Sequence, residues 1–78
     1  MMKVAKYVKE RDEALFSLDE KKIKKFCKKY RIAIPEKEEV FWAGVYRSIL
    51  GIPYAPEELK VLARLWLDNH GYKRTILL

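Results

Sequence analysis

Seventy-eight residues carry seventeen Lys and Arg against eleven Asp and Glu, a net charge of +6 at pH 7, and half of the chain is hydrophobic. A chain of this length supports one core, and two Trp, five Tyr and three Phe can fill it without covalent help. A single cysteine, Cys27, excludes an intramolecular disulfide, and with His70 as the one histidine a zinc site lacks ligands.

The excess charge is local. Residues 17–31 hold seven Lys and Arg against Asp19 and Glu20, while the remaining residues hold ten against nine. No apolar run approaches the roughly 20 residues that span a bilayer. Lys3, Lys6, Lys9, Glu10, Arg11, Asp12 and Glu13 break up the first fifteen residues, which therefore do not read as a signal peptide. The expected location is cytoplasmic.

The first expected helix covers 3–16. Val4, Val8 and Leu15 fall near one side with Ala5, Tyr7 and Phe16 beside them, and Arg11 and Asp12 interrupt the stripe. The second covers 18–30. Ser17-Leu18-Asp19-Glu20 fits a capping box, and Asp19 and Glu20 suit the positive end of the helix dipole. Ile23, Phe26, Cys27 and Tyr30 then keep the i, i+3, i+4, i+7 spacing of one buried face, with Lys21, Lys25 and Lys28 pointing away.

The third helix is expected over 36–50, with Pro35 at its start and Glu36, Glu38 and Glu39 in the first turn. From Val40 to Tyr46 it has no polar residue, which marks the most buried, central element. Gly44 reads as a close helix crossing, and Gly51 as a left-handed cap on which Ile52 packs back. The fourth helix is expected over 57–70, after Pro56, with Leu59, Leu62, Ala63 and Trp66 buried and His70-Gly71 as its end. The fold expectation is thus all-α: one domain, 1–78, a compact bundle of four short helices with the third in the middle, and 73–78 as a tail that is either mobile or interface-forming.

Catalysis finds little to work with. A nucleophile needs a neighbouring base held by a third group, and Ser17, Ser48, Cys27 and His70 form no recognisable motif. No glycine-rich phosphate loop occurs. The expectation is a protein without catalytic, metal or cofactor residues and without a small-molecule substrate. Membrane-surface binding is not favoured either, because the apolar stripe of 23–30 is needed inside.

Two binding readings remain. Val61, Leu65, Ile76, Leu77 and Leu78 are apolar residues left over once every helix has one buried face, and they mark an interface with another protein or a second copy, a homodimer. The alternative is weak, sequence-independent nucleic-acid binding through Lys21, Lys22, Lys24, Lys25, Lys28, Lys29 and Arg31. It ranks second, since a surface helix face must be polar anyway and lysine is a good helix former. A helix-turn-helix would place Glu36, Glu38 and Glu39 against phosphates, which is electrostatically wrong.

Ala14 to Ile23, Lys29-Tyr30, Pro35 to Glu39 leading into Val40-Phe41-Trp42-Ala43-Gly44-Val45, and Trp66-Leu67 ahead of His70-Gly71-Tyr72 together resemble small uncharacterised proteins of low-GC Gram-positive bacteria and their prophages. The resemblance spans about residues 12–72. It implies a cytoplasmic, phage-derived accessory protein and carries no site residues. Where similar sequences have a glycine after Lys-Tyr, this chain has Arg31, so a glycine cap is not expected there.

Overall fold

The computed structural model describes residues 2–73, with side chains from residue 5 onward. The chain is all-α, with helices α1 (Met2–Ser17), α2 (Glu20–Lys29), α3 (Glu38–Leu50) and α4 (Glu57–Asn69) and no strand among the described residues. Contacts divide the chain into two compact units, Met1–Ile34 and Pro35–Leu78. The first pairs α1 with α2, and the second pairs α3 with α4.

In the first unit Ala14 and Leu15 of α1 and Ile23 and Phe26 of α2 are buried. Tyr7, Phe26 and Tyr30 form a three-ring cluster, with centroids 5.5 Å apart for Tyr7–Phe26, 5.0 Å for Phe26–Tyr30 and 4.8 Å for the edge-on pair Tyr7–Tyr30. Such offset and edge-on rings add to what area burial alone supplies. Cys27 and Tyr30 are half-buried, so the expected stripe forms with Ile23 and Phe26 at its centre.

The start of α2 differs from the expected capping box. Its cap is Asp19, whose carboxylate accepts from the amides of Lys21 at 2.9 Å and Lys22 at 3.3 Å. Ser17 instead finishes α1, donating its hydroxyl to the Ala14 carbonyl and accepting from the Asp19 amide. Leu18, which a box capped by Ser17 would place as the first helical residue, instead takes a left-handed φ of 54°, so α2 starts only after Asp19. At the other end the Ile32 amide reaches the Cys27 carbonyl and the Arg31 amide that of Lys28, a Schellman pattern. Arg31, at φ 56°, occupies the left-handed position that glycine usually fills.

In the second unit α3 buries Phe41, Ala43, Val45, Tyr46 and Ile49, more than any other helix among the described residues. It starts at Glu38 rather than 36, and Lys37 stands at its cap without a side-chain hydrogen bond. Pro35 lies before the helix, not in its first turn. Gly44 is exposed, and a Cβ added there would meet nothing within 4 Å, so it marks no close crossing. Gly51 is right-handed at φ −79°, not the left-handed cap expected, although Ile52 does bury itself beside the helix end. Rings run across the α3–α4 pair from Phe41 to Trp42, Tyr46 and Trp66.

Helix α4 ends as expected. The Gly71 amide reaches Asp68 and the Tyr72 amide Leu67, with Gly71 at φ 75°. Its buried face is rotated, however: Ala63 and Leu67 are buried, Leu59 and Trp66 half-buried, and Leu62 faces solvent.

The two caps of α2 give a measurable contrast. Asp19→Ala is expected to cost about 1 kcal/mol in chemical denaturation. Arg31→Gly is expected to stabilise, because relief of a left-handed strain of roughly 1–2 kcal/mol exceeds the entropy penalty of about 0.5–1 kcal/mol for a new glycine.

Candidate functional site

Every α2 lysine lies on an arc away from the stripe. At about 100° per residue, Lys21, Lys25 and Lys28 share its middle, Lys24 flanks them on one side and Lys22 and Lys29 on the other. Lys24 is bonded to Glu20 one turn back at 2.6 Å, and Lys29 crosses to Glu10 of α1 at 2.7 Å. Lys21, Lys22, Lys25 and Lys28 are exposed and make no such pair among the described residues. Arg31 is exposed at the turn that follows.

Between α1 and α2 lies an open cleft of about 340 Å³. Lys22, Lys25 and Lys29 line it from α2, Glu10 and Glu13 from α1, with Ala14 and Phe26 between. Three cations against two carboxylates leave it little net charge; Lys25 stands at its rim and also belongs to the exposed outer face of α2, where Lys21 and Lys28 lie outside the cleft.

Glu10 is the polar tie of this unit. Its carboxylate accepts from Lys29 Nζ and, at 2.5 Å, from the Tyr30 hydroxyl. Hydrogen bonds from Lys29 and then Tyr30 lower the Glu10 pKa, and the same carboxylate raises those of Lys29 and Tyr30. Sequence reasoning missed this tie because nothing in the spacing brings residue 10 to residues 29 and 30.

The residues weighed for catalysis are each committed locally. Ser17 donates to Ala14 and Ser48 to the Gly44 carbonyl at 2.8 Å. His70 Nδ1 donates to the Trp66 carbonyl at 2.9 Å, and its ring stacks on Trp66 at 4.0 Å. Burial raises the Cys27 pKa, which keeps it a thiol. Among the described residues no group of three His, Cys, Asp or Glu could hold a metal ion and no helix is long and apolar enough to cross a membrane.

The second surface is on α4. Val61, Leu62 and Leu65 are 43 %, 41 % and 56 % exposed and lie within about one turn of each other. Val61 and Leu65 are the surplus residues singled out from the sequence, and Leu62 is the addition that its expected burial had hidden. Ile76, Leu77 and Leu78 lie outside the described residues.

The Glu10 tie has a pH signature. A lowered carboxylate pKa contributes stability above its unfolded value and loses it as pH falls through the folded one. The raised Lys29 and Tyr30 values contribute below the unfolded values and lose it as pH rises through the folded ones. The tie is therefore complete around neutral pH and fails at both extremes. In a 295 nm titration, the wild-type minus Tyr30→Phe difference should show Tyr30 ionising above the ordinary tyrosine range, and Glu10→Gln should shift that ionisation down.

No protein-family model, curated protein or solved structure matches the chain.

Proposed function

We propose that the chain is a small non-enzymatic helical interaction module that pairs with a second copy of itself through α4. The observation that carries this reading is the exposed aliphatic row Val61, Leu62 and Leu65 on one helix face, since contiguous exposed apolar surface marks an interface more often than chance.

Charge supports a second copy as the partner. Residues 35–78 hold six Lys and Arg against six Asp and Glu, so two copies can approach through this unit without the repulsion that a basic surface imposes. Antiparallel pairing of two α4 helices sets Glu57 and Glu58 of one first turn toward His70 and Lys73 beyond the last turn of the other, and opposes the two helix dipoles. Three aliphatic side chains make a small interface, so the association is weak and concentration-dependent.

Sedimentation equilibrium tests the reading. The wild type is expected to show a monomer–dimer equilibrium that persists at about 0.5 M salt, where screening has shortened to a few ångströms. Leu65→Lys, at a site already half in solvent, should keep its helical circular dichroism and run as a monomer. A wild type that is monomeric across the whole concentration range overturns the proposal.

A further inference from the structure

We propose that the outer face of α2 is a sequence-independent nucleic-acid-binding surface whose central row is Lys21, Lys25 and Lys28. This is independent of α4 pairing and belongs to the other unit.

The first support is segregation of charge. Residues 1–34 hold eleven Lys and Arg against five Asp and Glu, and residues 35–78 six against six, so the whole net charge of +6 resides in the α1–α2 unit. A face that only needs to be wet requires polarity, not one sign of charge. Here acids are available to the unit and are spent at the edges of the arc: Glu20 bonds Lys24 and Glu10 bonds Lys29, while Lys21, Lys25 and Lys28 in the middle are left exposed and unpaired. Lys21 and Lys25, Lys24 and Lys28, and Lys25 and Lys29 are all like charges four residues apart, a spacing that destabilises a helix. A polyanion relieves this repulsion.

The shape of the row selects among polyanions. Lys21 to Lys28 runs about 10 Å along the helix as a line of donors, which matches a regularly spaced run of phosphate oxygens. A bilayer needs apolar side chains beside the cations, and an acidic peptide needs a seat for its own apolar groups. Of the apolar groups of this unit, Leu15, Ile23 and Phe26 are buried, and the exposed Ile32 lies beyond the end of α2, past the row of lysines. Lysine in place of arginine supplies point charges rather than planar forks, so the face holds phosphates and does not read bases.

The experiment is fluorescence anisotropy of a mixed-sequence DNA duplex titrated with the full chain at a series of salt concentrations. The wild type is expected to bind at about 50 mM salt and to weaken steeply as salt rises, by counterion release. Lys25→Gln/Lys28→Gln should flatten the slope of log K against log salt by about 2, while Lys37→Gln/Lys60→Gln, which removes equal charge from the other unit, should leave it unchanged. Lys25, Lys28 and Lys37 are exposed and Lys60 is half-buried, and circular dichroism of both variants checks that the helices remain. The proposal is overturned if the two variants lose affinity equally, if no binding is seen at low salt, or if phosphatidylserine vesicles compete the duplex away.

Discussion

The mutual packing of Tyr7, Phe26 and Tyr30 is the contact on which the first unit depends. Helix α2 is ten residues long, shorter than helices that persist alone in water, and its repeated lysines repel one another along the axis. Intrinsic propensity cannot hold it. Burial of Ile23 and Phe26 against α1 does, since a fully buried large apolar side chain contributes about 1.5–3 kcal/mol. The lysine face is directed outward because the opposite face is anchored.

Electrostatics and packing thus act at right angles in this unit. The apolar stripe fixes which way α2 faces, and Glu10 fixes where its last turn sits by holding Lys29 and Tyr30 together. Glu10 and Glu20 thus engage Lys29 and Lys24, two of the six α2 lysines. The second unit works differently: a chain of rings through Tyr46, Trp66 and His70 joins α3 to α4, and its charges balance. The first helix pair thus carries a basic face and the second an exposed aliphatic one.

Several features that looked chemical in isolation become structural once the backbone is placed. Arg31 is both a cation and the left-handed residue that closes α2, a strained role that the short segment to Ile32 imposes. His70 is absorbed by the end of α4, where its ring covers Trp66 and its Nδ1 caps a carbonyl.

The four helices and the inward face of α2 were legible in the sequence, because a 3.6-residue period in Ile23, Phe26, Cys27 and Tyr30 admits a single orientation. So was the surplus of Val61 and Leu65. Helix ends were not: whether Ser17 or Asp19 caps α2 depends on the left-handed turn at Leu18, and whether Gly51 turns left depends on backbone angles that composition does not specify. Only the tertiary structure chose the buried side of α4, because apolar residues at 59, 61, 62, 63, 65, 66 and 67 surround most of that helix. Periodicity has no preferred direction when nearly every direction is apolar, and contact with α3 selected Ala63 and Leu67 and left Leu62 in solvent.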